Sequence, residues 1–144
     1  MPQCYLLGIS AGSSLDQQSN NVSLFNLVEQ VNVPPGAPPP PNNLLPLELH
    51  AYFRLAPDEL GSTLEMRFAL VADTGLETLS EVVRHTCATP RYRTRTLGLP
   101  FPPVLGQYEL RVDFRVAGTE HWTRDMLAWP ISFVEMESKP RVTH

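Results

Sequence analysis

Residues 107 to 116 alternate strictly between apolar and charged side chains, and this pattern constrains the fold more than any other part of the chain. The apolar positions are Tyr108, Leu110, Val112, Phe114 and Val116. The positions between them are Glu109, Arg111, Asp113 and Arg115. A period of two places one set on each face of an extended strand. The pattern therefore predicts a half-buried β-strand whose outer face carries charges of both signs.

Other segments repeat this alternation. Residues 47 to 55 and 64 to 70 alternate in the same way, and the turn residues between them predict a β-hairpin. Weaker strand patterns lie at residues 3 to 9, 22 to 33, 79 to 87, 91 to 97 and 127 to 135. Residues 22 to 33 also fit a helix, but the closing valines favour a strand. The polar run from Ser10 to Asn21 is expected to be a loop. The 144 residues (1–144) are predicted to form a single all-β domain, a sandwich of about seven to eight antiparallel strands.

Residues 34 to 46 are rich in proline and predict a long, extended surface loop. Their P-x-x-P spacing has no flanking basic residue, which favours a passive loop over a ligand for an SH3-type domain. Leu44 and Leu45 at the end of the loop either fold back onto the sandwich or offer a small apolar patch to a partner. Residues 136 to 144 are expected to form a flexible tail.

Two short segments resemble known proteins. Leu99-Pro100 followed by the segment Gly106 to Val112, Gly-Gln-Tyr-Glu-Leu-Arg-Val, resembles the entry to strand F in fibronectin type III and immunoglobulin-like domains. This resemblance implies that the Tyr108 hydroxyl makes a corner hydrogen bond. Asp16 with residues Asn20 to Pro34, especially Val22-Ser23-Leu24-Phe25-Asn26, resembles the front end of a family of small uncharacterised bacterial proteins with an immunoglobulin-like sandwich. That resemblance implies an immunoglobulin-like β-sandwich and no activity.

Composition excludes some classes of partner. The net charge is −4 and the pI is about 5.5, so no general affinity for nucleic acid or acidic membranes is expected. The amino-terminal residues have neither the basic start of a signal peptide nor a membrane-spanning apolar run, and a cytoplasmic protein is expected. Cys4 and Cys87 are the only cysteines, and in a reducing compartment they are predicted to act as small buried apolar residues.

The strongest local charge feature is the stretch of residues 84 to 95, which contains Arg84, Arg91, Arg93 and Arg95 and no acidic residue. Arg91, Arg93 and Arg95 would point to one side of a strand, about 6.6 Å apart at each step. Such a stripe could clamp carboxylates or phosphates. The alternative is a set of ordinary cross-strand ion pairs with Glu48, Glu65, Glu109 or Asp113. Nucleic acid is disfavoured because the chain has one lysine and Tyr92 points to the other face.

Catalytic and metal-binding patterns are weak. Gly8-Ile9-Ser10-Ala11-Gly12 matches the G-x-S-x-G nucleophile elbow, but no apolar helical face follows it, so a strand that ends in a small-residue loop is favoured. The four histidines lack metal-ligand spacing, and His50 is expected to be a solvated sheet residue. No metal or other cofactor is predicted.

These observations favour a non-catalytic interaction module of a bacterial cytoplasmic system whose partner is another protein. The residues predicted to contact the partner are Arg91, Arg93, Arg95, Leu44 and Leu45. One alternative is an accessory domain that binds anions or nucleic acid through the arginine stripe. Another is a small serine hydrolase that uses Ser10. The sequence leaves the oligomeric state open.

Overall fold

The structure, a computed structural model, describes residues 1–136 and is all-β, as predicted. The strands are β1 (Gln3–Asp16), β2 (Asn21–Leu27), β3 (Gln30–Val33), β4 (Leu44–Arg54), β5 (Thr63–Ala72), β6 (Glu77–Leu79), β7 (Val83–Thr86), β8 (Arg91–Pro100), β9 (Gly106–Val116), β10 (Thr123–Arg124) and β11 (Trp129–Glu135). Eleven strands replace the seven or eight predicted. The helical elements within residues 1–136 are two short 3-10 turns, Pro41–Asn43 and Pro57–Glu59. No helix in residues 1–136 is long and apolar enough to cross a membrane. Apart from Met136, the predicted tail of residues 136 to 144 lies outside the described residues.

The strands form two sheets. The four-stranded sheet has the order β2-β1-β4-β8, and all its pairs are antiparallel. The seven-stranded sheet has the order β3-β11-β9-β5-β6, with β10 paired to β9 and β7 paired to β5. In it β3 runs parallel to β11. The prediction of a purely antiparallel fold is therefore wrong at this pair.

The core lies between the two sheets. The four-stranded sheet contributes buried side chains such as Ile9, Leu49 and Phe53, and the seven-stranded sheet contributes others such as Phe68 and Phe114. The rings of Phe53 and Phe114 meet edge to face with centroids 5.7 Å apart. Burial of alternating apolar residues from both sheets is what holds the sheets together.

The predicted hairpin of residues 47 to 55 and 64 to 70 does not form. Both strands exist, but β4 pairs with β1 and β8, whereas β5 pairs with β9, β6 and β7. The turn at Pro57–Glu59 carries the chain from one sheet to the other. Alternation shows which face of a strand is buried, and it is the same whether the next strand lies beside the first or across the core.

Three other boundaries differ from the predictions. The polar run after Ser10 continues β1 as far as Asp16, because β2 pairs with it through a tight turn that ends at Asn20 (φ 59°). Residues 22 to 33 split into β2 and β3, which lie in different sheets. The strand β4 already begins at Leu44, so the last three residues of the predicted proline-rich loop are extended and paired with β8 at Leu44 and Leu45.

Two predictions about single residues are confirmed. The Tyr108 hydroxyl donates a hydrogen bond to the Val104 carbonyl oxygen at 2.5 Å, which is the corner bond that the resemblance implied. Cys4 and Cys87 are buried free thiols. Burial, with a smaller contribution from Asp125, raises the pKa of Cys4 to about 11.

Candidate functional site

The outer face of the four-stranded sheet brings the arginine stripe beside two aromatic side chains. In the β4–β8 register, Arg95 lies opposite His50, Arg93 opposite Tyr52, and Arg91 opposite Arg54. The residues between the arginines face the interior: the Thr94 hydroxyl, for example, is 3.7 Å from the Met66 sulfur. The three arginines therefore share one outer face, as the spacing predicts.

The β1–β2 hairpin folds over this face and turns it into a groove. A guanidinium nitrogen of Arg93 donates to the Asn20 carbonyl oxygen at 2.7 Å, and the Ser13 hydroxyl donates to Glu48 Oε1 at 2.6 Å. The groove, which is open to solvent, has a volume of about 530 Å³. Its lining, which we call the arginine groove, consists of Ser13, Ser14, Leu15, Asn20, Val22, His50, Tyr52, Thr89, Arg91, Arg93, Thr94 and Arg95.

The three arginines of the stripe have different surroundings. Arg91 is exposed and has no carboxylate partner within residues 1–136. Arg93 is half-buried, with its guanidinium 5.9 Å from the centroid of the Tyr52 ring. Arg95 is exposed and lies 3.7 Å from Glu48. Glu48 is thus the only one of the four predicted acidic partners that approaches the stripe in the described structure.

The buried pair Ser10 and His50 lies at one end of the groove. The Ser10 hydroxyl oxygen is 2.8 Å from His50 Nε2, and its hydroxyl donates to the Gly12 carbonyl oxygen. Glu48 Oε1 is 3.6 Å from the same ring nitrogen. Because the serine proton is engaged elsewhere, we assign the histidine proton to Nε2. His50 Nδ1 is then an acceptor, and it is buried without a hydrogen-bond partner in the described structure.

His50 is not the solvated residue that the sequence predicts. It is on the outer face, but only 1% exposed because the hairpin covers it. Burial lowers its pKa, with Arg95 acting in the same direction and Glu48 opposing. The imidazole is accordingly neutral at pH 7.

This geometry does not suit a serine nucleophile. Ser10 lies within β1, not between a strand and a helix, and its side chain is fully buried. In a Ser-His-acid triad the acid holds the ring nitrogen opposite the serine. Here Glu48 and Ser10 share one nitrogen, and no carboxylate of residues 1–136 bonds to the other.

The arginines of the seven-stranded sheet contrast with those of the groove. Glu65 accepts from Arg84 and Arg115, with N to O distances of 3.4 and 3.2 Å. Asp113, only 2% exposed, accepts from Arg67 and Arg124 at 3.0 and 2.8 Å. The cross-strand ion-pair ladder weighed for the stripe therefore exists on the other sheet, and within the described residues the stripe itself has one such pair, Arg95 with Glu48.

Leu44 and Leu45, the two leucines predicted to contact a partner, have different surroundings. Leu45 packs against the core, while Leu44 is 41% exposed. Leu44 lines a cleft of about 500 Å³ between β8 and the β6–β7 edge of the other sheet. We call this the edge cleft; its other lining residues are Asn42, Asn43, Met66, Phe68, Thr78, Leu79, Ser80, Glu81, Val83, Thr96, Leu97, Gly98 and Pro100.

Sequence reasoning missed Tyr52, His50 and Asn20 as parts of the groove. Tyr52 and His50 occupy outward positions of an alternating strand, where a polar or aromatic side chain is unremarkable. Their participation depends on β4 being the neighbour of β8 and on the hairpin folding over them. Asn20 differs from these two residues, because asparagine is a typical turn residue and the sequence alone could have placed it at a turn.

No group of three or more histidine, cysteine, aspartate or glutamate side chains within residues 1–136 is arranged to hold a metal ion. Comparison with known proteins adds no assignment: no protein-family model matches the chain, and no curated protein sequence is significantly similar to it. The resemblance to small bacterial proteins stays a prediction.

Proposed function

We propose that the protein is a non-catalytic interaction module whose arginine groove binds an acidic segment of another protein. The observation that carries this proposal is the contrast between the two sheets. Arg67, Arg84, Arg115 and Arg124 on the seven-stranded sheet are each held by a carboxylate. In the described structure Arg91 and Arg93 of the groove are not.

Unneutralised guanidinium groups suit carboxylate ligands. Arginine presents a planar fork that can bind a carboxylate through two parallel hydrogen bonds. Arg93 is already positioned by the Asn20 carbonyl and the Tyr52 ring, so less side-chain freedom is lost when a ligand binds.

Nucleic acid is the second candidate ligand, because phosphates also suit guanidinium forks. It is less favoured since sequence-independent binding of single strands uses aromatic platforms that stack on bases. Tyr52 is only 8% exposed and lies beneath Arg93. A serine hydrolase is disfavoured by the buried hydroxyl of Ser10.

We also propose an immunoglobulin-like topology for the sandwich. The strands β4 and β8 are neighbours in one sheet, and β5, β9 and β11 follow the order 5-9-11 in the other. In the immunoglobulin fold, strands B and E are neighbours in one sheet, and strands C, F and G form the other. On this proposal β4 and β8 correspond to B and E, and β5, β9 and β11 correspond to C, F and G. Tyr108 stands near the start of β9, the strand equivalent to F, where the tyrosine corner belongs. A cytoplasmic location in a bacterial cell remains part of the proposal, and free buried cysteines are compatible with it.

The test is selection of ligands from a random peptide display library, followed by binding measurements at two salt concentrations. Selected peptides should be enriched in aspartate and glutamate, and their affinity should fall as salt rises. Arg91→Glu should weaken binding by about tenfold or more. Arg84→Glu is the matched control, because it makes the same charge change at an exposed arginine on the other sheet (71% exposed), and it should leave binding unchanged.

Three results would overturn the proposal. The first is selection of peptides without acidic residues, and the second is equal loss of binding in both variants. The third is tighter binding of a single-stranded oligonucleotide than of any selected peptide at the same salt concentration. The melting temperature of Arg91→Glu should stay within a few degrees of the parent, since Arg91 is exposed and has no carboxylate partner within residues 1–136. Arg84→Glu should lower it, because the new carboxylate lies beside Glu65, and circular dichroism checks that this control is folded at the temperature of the binding assay.

A further inference from the structure

The strand β8 forms one free edge of the four-stranded sheet. It pairs with β4 on one side, and no other strand of residues 1–136 pairs with it on the other. A free edge presents backbone donors and acceptors to any chain that can lie alongside it. The edge is long, since β8 has 10 residues, and at its start the Thr89 hydroxyl donates to the Arg91 carbonyl oxygen at 2.8 Å.

The edge cleft runs beside the second half of β8. Its floor contains the core side chains Met66 and Phe68, which are 2% and 1% exposed. Leu44, Leu79 and Val83 line it and are 41%, 45% and 36% exposed. Apolar side chains entering this cleft would bury these exposed surfaces against the core.

The alternation of side chains along β8 determines which kind of segment could lie beside it. Its outer face carries Arg91, Arg93 and Arg95, while Thr96 and Gly98 line the edge cleft. A strand added beside β8 has the same two-residue period, and its side chains lie about 4.5–5.5 Å from those directly opposite. Acidic side chains on its outer face would meet the arginines, and apolar ones on its inner face would enter the cleft.

We propose that an extended segment of the partner protein adds to the free edge of β8 as a fifth strand, with acidic residues facing Arg91, Arg93 and Arg95 and apolar residues in the edge cleft. This inference rests on the proposed function and names the partner segment. Every pair in the four-stranded sheet is antiparallel, and the proposed strand continues this pattern. Backbone hydrogen bonds supply the affinity, and the alternating side chains supply the selectivity.

The probe is the synthetic peptide Thr-Val-Thr-Leu-Glu-Thr-Glu-Thr-Glu. In antiparallel register it places valine and leucine opposite Gly98 and Thr96, and its glutamates opposite Arg95, Arg93 and Arg91. A second peptide has the same side chains but N-methyl groups on the backbone nitrogens that face β8, and a third has glutamine in place of glutamate. We expect the first to bind, and each of the other two to lose affinity by about tenfold or more.

Leu79→Lys places a charge in the edge cleft and should lower the affinity for the first peptide by a similar factor. Leu76→Lys is its matched control, because Leu76 is equally exposed at 46% and lines neither the groove nor the cleft. Hydrogen exchange followed by NMR should show new protection of backbone amides along β8 when the peptide is bound.

The outcomes separate this inference from the proposed function. Full affinity of the N-methylated peptide, or no added protection of β8, overturns strand addition; if Arg91→Glu still abolishes binding in that case, the acidic ligand and the groove stand. Equal affinity of the glutamine and glutamate peptides overturns the role of the arginines, and with it both proposals. Equal weakening by Leu79→Lys and Leu76→Lys overturns the role of the cleft.

Discussion

Truncation of Phe114 tests whether the two sheets are joined as described. Its ring is 2% exposed and meets Phe53 of the opposite sheet edge to face. A buried phenylalanine reduced to alanine loses its transfer free energy and leaves a cavity, which together amount to about 3–5 kcal/mol. The edge-to-face pair contributes about 0.5–1.5 kcal/mol of that loss.

The assay is urea unfolding followed by circular dichroism. Phe114→Ala should lower the free energy of unfolding by about 3–5 kcal/mol, with the denaturant slope unchanged. Phe25→Ala is the matched control, because Phe25 is 51% exposed on β2, and it should change stability by about 0.5 kcal/mol or less. A loss of less than about 1 kcal/mol for Phe114→Ala would refute the packing of β9 against β4. A Phe53/Phe114 double-mutant cycle with no coupling would refute their contact.

The remaining predictions concern acid stability, the corner and the buried serine. Burial alone would raise the pKa of Asp113, but hydrogen bonds from two arginines outweigh it and lower the pKa. Its stabilisation is therefore present above about pH 4 and is lost as the pH falls toward the lowered value, so Asp113→Asn should flatten the decline of unfolding free energy between about pH 4 and pH 2. Tyr108→Phe removes the donor to Val104 and should cost about 0.5–1.5 kcal/mol in chemical denaturation; no loss would mean that the corner bond contributes nothing. A fluorophosphonate probe should fail to label Ser10, and labelling that disappears in Ser10→Ala would restore the hydrolase hypothesis.

Local pattern was sufficient for the strand class and for several single residues. Alternation at residues 107 to 116 predicts β9, because a period of two is a property of the extended backbone and needs no knowledge of the neighbours. The same reasoning places Arg91, Arg93 and Arg95 on one face. The resemblance around Tyr108 predicts its corner bond.

Only the tertiary structure decided which strands are neighbours and which charges are paired. The strands β4 and β5 alternate alike, yet they lie in different sheets, because alternation records burial of a face and not the identity of the strand beside it. Arg84 and Arg91 are both exposed cationic residues in the same acid-free stretch, but only Arg84 lies opposite Glu65 in the pairing of β5 and β7. His50 is buried because the hairpin formed by β1 and β2, an earlier segment of the chain, folds over it. Each of these outcomes depends on contacts between distant segments, so the groove and the cleft follow from the pairing of strands and not from any one stretch of sequence.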